Sequence, residues 1–180
     1  MQKPTLLLLD ADVVIEAHKL GVWAELKAAF SIAVPGTIVR EARYFKSTRG
    51  SGSINLQKEI DAGEISCIEA NASEIATTFE NFDPVFMGGI DDGEKEGIAI
   101  IRFGKSDCLF CTGDTNAVEA IGMLAIENRS MSFEAVLGAA KVAVKRVRAS
   151  MTAQAHELHV RKGKLRRITG ECFKNSPFGI

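Results

Sequence analysis

Leu6-Leu7-Leu8-Leu9-Asp10-Ala11-Asp12 decides how this chain folds. Four apolar positions in a row suit a parallel strand covered on both faces, because a strand with one wet face would alternate. Such a strand delivers Asp10 to its carboxyl end, where open α/β sheets bind ligands. A lone carboxylate buried there would cost several kcal/mol or take up a proton, so it requires a cation or hydrogen bonds.

Outward from that stretch, strand and helix patterns alternate. Asp12 to Leu20 predicts a helix capped by Asp12 and stopped at Gly21, and Trp23 to Ala29 a second one. Ser31 to Val34 predicts a strand, after which Pro35 opens a helix over Gly36 to Phe45. Lys46 to Ser53 (KSTRGSGS) is polar and rich in Gly and Ser, which predicts a mobile connection. A helix near Ile54 to Asp61, a strand over Ile65 to Ile68 and a helix over Ala72 to Phe82, capped by Asn71 or Ser73, come next. A loop over Asp83 to Gly89, a helix over Ile90 to Phe103, a strand over Cys108 to Thr112 and a helix over Thr115 to Glu127 follow. Met131 is expected to pair briefly at a sheet edge, and Phe133 to Met151 reads as one long helix. The pattern predicts a three-layer α/β/α fold with a parallel sheet of about five strands.

The 180 residues, 46% of them hydrophobic, suffice for one well-buried domain and an appendage. The leucine run is too short and too soon interrupted for a secretory or membrane segment, so a cytoplasmic location without membrane partners is expected. Four scattered cysteines do not make a disulfide scaffold. Cys108-x-x-Cys111 on a strand would send its two thiols to opposite faces. Charge is uneven: residues 1–140 carry 12 Lys and Arg against 21 Asp and Glu, while residues 141–180 carry 10 against 2. The division suggests a body over residues 1–140 and a basic helical extension over residues 141–180, packed on the body or appended to it.

Two predicted helices carry an acid on an apolar stripe. Glu41 falls with Ile38, Tyr44 and Phe45, and Glu94 lies over Ile98 and Ile101. Asp114 ends the strand that begins at Cys108, sharing a face with Phe110 and Thr112. With Asp10, these make four carboxylates whose mutual repulsion is relieved by protons or by a divalent metal. Oxygen-only ligands favour Mg²⁺ or Mn²⁺, ions suited to activating water against a phosphodiester. Simpler roles exist for each acid. Glu94 can close a capping box with Asp91, Asp91 and Asp92 suit a helix N-terminus, and Asp10, Asp12 and Asn116 can act as caps.

Four stretches, LLLLDADVVIEA around Asp10, VPGTIVREARYF around Glu41, DDGEKEGIAII around Glu94 and CLFCTGDTNAVEA around Asp114, resemble the PIN-domain metal-dependent ribonucleases in order and spacing. The resemblance covers roughly residues 5–140. It implies a PIN-like fold and a metal-binding, catalytic quartet of Asp10, Glu41, Glu94 and Asp114. Thr112 would be a supporting hydroxyl, with Asp12 and Asn116 beside it. The implied activity is hydrolysis of RNA by water attack on its backbone. Many proteins of this kind are toxins restrained by an antitoxin, so a protein antitoxin is one expected partner, and a homodimer is another. Asp12 departs from the pattern, where a small hydroxyl or amide residue is more usual.

The basic extension lies outside the resemblance. On the expected long helix Lys141, Lys145 and Arg148 share a face, with Arg161, Lys162, Lys164, Arg166 and Arg167 beyond, and either phosphate contact with RNA or a solvated flank is consistent with them. His18 is expected on a helix surface, and His156 and His159 have no acid near in sequence except Glu157. LLLLDADVV and TGDTNAV also resemble motifs of haloacid-dehalogenase-like phosphatases, in which Asp10 would be a nucleophile and Asp12 a general acid. A non-catalytic RNA-binding scaffold is the third alternative.

Overall fold

The computed structural model describes residues 5–47, 50–144 and 146–174. Strand β1 (Leu6–Leu9) leads through helices α1 (Ala11–Leu20) and α2 (Trp23–Ala29) to β2 (Ser31–Pro35). Helix α3 (Ile38–Glu41), a hairpin of β3 (Tyr44–Ser47) and β4 (Gly50–Ser53), and α4 (Leu56–Asp61) precede β5 (Ser66–Ile68). Helices α5 (Ala72–Phe79), α6 (Pro84–Met87) and α7 (Asp92–Arg102) lead to β6 (Cys108–Cys111). Helices α8 (Thr115–Met123), α9 (Phe133–Ala139) and α10 (Ala153–Thr169) complete the order.

Four strands form one parallel sheet in the order β5-β2-β1-β6. Leu7 stands opposite both Ile32 and Leu109, so the leucine strand is central and its backbone groups are paired on both sides. Both faces are covered. Leu7, Leu9, Ile32, Val34 and Cys111 pack with residues of α1, α2 and α9. Leu8, Ala33, Cys108 and Phe110 pack with residues of α5, α7 and α8. This satisfies the unbroken apolar run, and it places the two thiols of Cys108 and Cys111 on opposite faces. The expected fifth strand shrinks to a single parallel bridge of Phe110 with Ser130, where the Met131 N–H donates to the Phe110 carbonyl at 3.0 Å.

From β1 the chain steps outward through β2 to β5, then crosses back to lay β6 on the other side of β1. The order therefore reverses between β1 and β6, and their carboxyl ends open the crevice in which such sheets bind ligands.

Expectations around the hairpin are corrected. The helix over Gly36 to Phe45 ends at Glu41, and Tyr44 and Phe45 enter the antiparallel hairpin, with Tyr44 59% exposed. Lys46 to Ser53 contributes to that hairpin instead of forming a loose connection, while residues 48 and 49 lie outside the described residues. Aromatic residues favour strands, and Gly52 admits the Phe45 ring, since a Cβ there would lie 2.8 Å from it. His18 is half-buried and stacks with Trp23 and Phe45, at centroid distances of 5.0 and 5.6 Å.

The expected long helix Phe133 to Met151 is broken. It ends at Ala139, Lys141 turns with φ of 57°, and the described residues from Val142 to Arg148 are not helical before a short 3-10 turn at Ala149–Met151. Val142 and Val144 face the core while Ala143 faces out, so their burial has period two, whereas Val144 and Val147 also fit helical spacing. Helix α10 then packs closely along α8. A Cβ on Gly163 would stand 2.0 Å from the Glu119 carbonyl oxygen, and one on Gly122 2.5 Å from that of Val160, so both helices need glycine where they touch. No helix among the described residues is long and apolar enough to cross a membrane.

Candidate metal centre

Asp10 and Asp114 take their places because each caps the helix that follows its strand. The Ala11 N–H donates to Asp10 Oδ1 at 2.6 Å, and the Ala117 N–H donates to Asp114 Oδ1 at 2.8 Å. Asp10, not Asp12, is thus the cap of α1. Thr112 links the two: its hydroxyl donates to Asp10 Oδ2 at 3.1 Å and accepts the Asp114 N–H at 3.0 Å.

Glu94 comes from the first turn of α7. Its Oε2 accepts the Asp91 N–H at 2.9 Å, so it holds the helix end while remaining at the cavity wall. The capping role and the site role are therefore compatible. Glu41 comes from α3, which approaches α7 closely at Gly93. A Cβ there would meet Ile38 Cδ1 at 2.3 Å and Glu41 Oε2 at 3.0 Å, so only glycine lets Glu41 stand beside the start of α7. Glu96 fixes the same approach from within: buried at 5% exposure, it accepts N–H groups of Thr37 at 2.8 Å and Ala70 at 3.2 Å.

A cavity of about 150 Å³ joins these elements, and Asp10, Asp12, Glu41, Asp91, Glu94 and Asp114 all line it. Burial, then the charges of Asp12 and Asp114, push Asp10 up to about 7 against the hydrogen bonds from Ala11 and Thr112. Burial, then Asp10 and Asp114, push Glu94 up to about 9. Burial raises Asp114 and Glu41 as well, with Asp91 adding to both. Asp10, Glu94 and Asp114 lie close enough to oppose one another's ionisation, while Glu41 is opposed by Asp91 and Asp92.

The donor set is all oxygen and rich in charge, which suits a hard divalent cation such as Mg²⁺ or Mn²⁺. The fit lies in this donor chemistry and not in preformed coordination, since no group of three His, Cys, Asp or Glu among the described residues is arranged to hold an ion as it stands.

The other expected residues divide. Thr112 sits between the two strand-end acids as described. Asp12 is paired, its Oδ2 accepting from Arg148 Nη1 at 2.5 Å. Asn116 turns away, donating to the Gly89 carbonyl at 3.0 Å. The helical basic face expected for Lys141, Lys145 and Arg148 does not hold for the two that are described: Lys141 is in the turn after α9 and Arg148, outside any helix, lines the acidic cavity, while Lys145 lies outside the described residues. On α10, Arg161 pairs with Glu157 at 2.5 Å, while Lys162 and Arg167 are exposed. Arg166 is committed to the fold. It meets the buried Glu119 at 2.8 Å and lies over the Phe86 ring at 5.3 Å. His159 also has an acid, Glu119, at 2.6 Å, one contributed by α8 and far from it in sequence.

Sequence reading undervalued Asp91, Gly93 and Glu96. The signal was four acids within the six residues 91–96, together with a glycine inside a first helical turn. Against known proteins, the chain matches no protein-family model and no curated protein.

Proposed function

We propose that this protein is a Mg²⁺- or Mn²⁺-dependent endoribonuclease, similar to the PIN-domain nucleases, with Asp10, Glu41, Glu94 and Asp114 as the residues that hold the metal. One observation carries the reading. Four carboxylates from four separate elements converge on one cavity at the reversal of strand order, and burial together with neighbouring acidic charge raises the proton affinity of each. Structural ion pairs do not need such an arrangement, whereas sites that bind cations do.

When bound, a divalent ion would supply charge neutralisation for the phosphodiester and activation of water. The chain's own part is positional. Asp10 and Asp114 are held by helix-capping bonds and by Thr112, so neither depends on a mobile loop. Glu94 is held by the Asp91 N–H. A carboxylate that carries a proton at neutral pH, as Glu94 does, must give it up for the site to load, so loading is coupled to proton release.

The phosphatase reading is weaker. It needs Asp12 free to act as a general acid, and Asp12 is paired with Arg148. It also leaves Glu41 without a task. RNA as substrate, and an antitoxin as partner, rest on the resemblance of the four sequence stretches.

The test is cleavage of a labelled RNA pool in Mn²⁺, in Mg²⁺ and in EDTA, by the wild type and by Asp10→Asn. Cleavage lost both in EDTA and in the variant supports the reading. Equal cleavage by both proteins, or none by the wild type with either metal, overturns it, and in the second case phosphate-ester substrates and metal-free RNA binding separate the phosphatase from the scaffold.

A further inference from the structure

Arg148 is the one cationic side chain among the described residues that line the acidic cavity, and it arrives from the irregular stretch between α9 and α10. We propose that Arg148 grips a phosphate of the RNA substrate at the mouth of this cavity, and that Asp12 is its anchor and not a metal ligand. The inference rests on the ribonuclease reading above.

The backbone that carries Arg148 is fixed from both sides. Before it, Val142, Val144 and Val147 pack against the core. After it, Met151 is buried at 1% exposure and lies against Gly113, where a Cβ would stand 2.6 Å from Met151 Cε. Gly113 itself lines the cavity, between Thr112 and Asp114. The guanidinium, by contrast, is open, its side chain 52% exposed.

One Nη1 contact to Asp12 leaves the rest of the planar fork for other acceptors. A phosphodiester nearing this acidic cavity is repelled, and a cation at the rim lowers that barrier where the backbone must pass. A fixed guanidinium suits two phosphate oxygens better than an ammonium does. Asp12, paired with the guanidinium, then contributes orientation to Arg148.

Arg148→Ala, Arg148→Lys and Asp12→Asn are compared with the wild type in three measurements. Cleavage of a fluorescein-labelled single-stranded RNA in Mn²⁺ gives KM and kcat, RNA binding in EDTA across a salt series gives the number of phosphate contacts, and calorimetry without RNA gives the affinity for Mn²⁺. Arg148→Ala is expected to raise KM about tenfold with a smaller change in kcat. It should also flatten the plot of log affinity against log salt by about 0.7, the loss of one phosphate contact on a single strand. Arg148→Lys should recover the salt slope and only part of KM. Mn²⁺ affinity should change far less in Arg148→Ala and Asp12→Asn than in Asp10→Asn, since neither removes a ligand.

A wild-type KM and salt slope in Arg148→Ala overturns the phosphate contact. A loss of Mn²⁺ affinity in Asp12→Asn as deep as in Asp10→Asn overturns the anchor role. Either result, with an active wild type, leaves the ribonuclease reading standing. A wild type that neither binds nor cleaves RNA in Mn²⁺ removes that reading and this inference together.

Discussion

Thr112 binds the ends of two neighbouring strands to one carboxylate: its hydroxyl lies 3.1 Å from Asp10 Oδ2 and also receives the Asp114 N–H at 3.0 Å. The donated bond favours ionised Asp10, and the accepted one satisfies a backbone group at the cavity wall. Thr112→Val keeps the shape and removes both. The expected cost is about 1–3 kcal/mol, read by urea unfolding, because a part-buried N–H is left without its acceptor. Asp10 should then hold its proton to higher pH, and the alkaline rise of Mn²⁺ affinity should move up with it.

Stability of the metal-free protein should depend on the same acids. Glu94 and Asp10 are raised in the folded state, to about 9 and about 7 from 4.5 and 3.8. Within those windows the folded state binds more protons than the unfolded one, so the stability they contribute is full at low pH and is lost as pH rises through the folded values. Glu94→Gln and Asp10→Asn should each gain at least about 1 kcal/mol over wild type at pH 8 without metal, with little difference at pH 4. Thermal melts in EDTA at both pH values check this, and saturating Mn²⁺ should reverse the order at pH 8.

The contact of α10 with α8 predicts a contrast between two glycines. Gly163→Ala drives a Cβ into the Glu119 carbonyl, where backbone must move, and should cost about 1–3 kcal/mol or more. Gly138→Ala, on the exposed side of α9 with nothing within 4 Å, should be neutral or stabilising by about 0.5–1 kcal/mol. Denaturant midpoints for the two variants decide it.

Arg166 should behave as a structural residue. Glu119 is 4% exposed and is held by Arg166 and His159. Arg166→Met should cost about 1–3 kcal/mol in urea unfolding by leaving a buried acid short of a partner, without changing the salt slope of RNA binding.

The central strand, the helix-covered parallel sheet and the strand-end acids were legible in the sequence because each rests on local pattern: an unbroken apolar run, and an acid placed where a strand stops. Glu94 was legible for the same reason, since capping and site roles ask for the same position. Glu41 was placed by a helix that proved too short. It reaches the cavity through the tight passage of α3 past Gly93, a tertiary feature with no periodic signature. The break after Ala139 was hidden because Val142 and Val144, two residues apart, are followed by Val147 at a helical spacing from Val144. Arg148 was misplaced as a result. Its partner, Asp12, lies 136 residues away, beyond any local reading.

The measurement that tests the account most directly is calorimetric titration of the metal-free protein with Mn²⁺ at pH 7 in buffers of differing ionisation enthalpy. With Glu94 protonated and Asp10 near half-protonated, binding should release roughly one to two protons, and Asp10→Asn or Glu94→Gln should weaken binding and release fewer. Absence of saturable Mn²⁺ binding by the wild type, or binding with the same affinity and proton release in both variants, would contradict the assignment of these carboxylates as a metal centre.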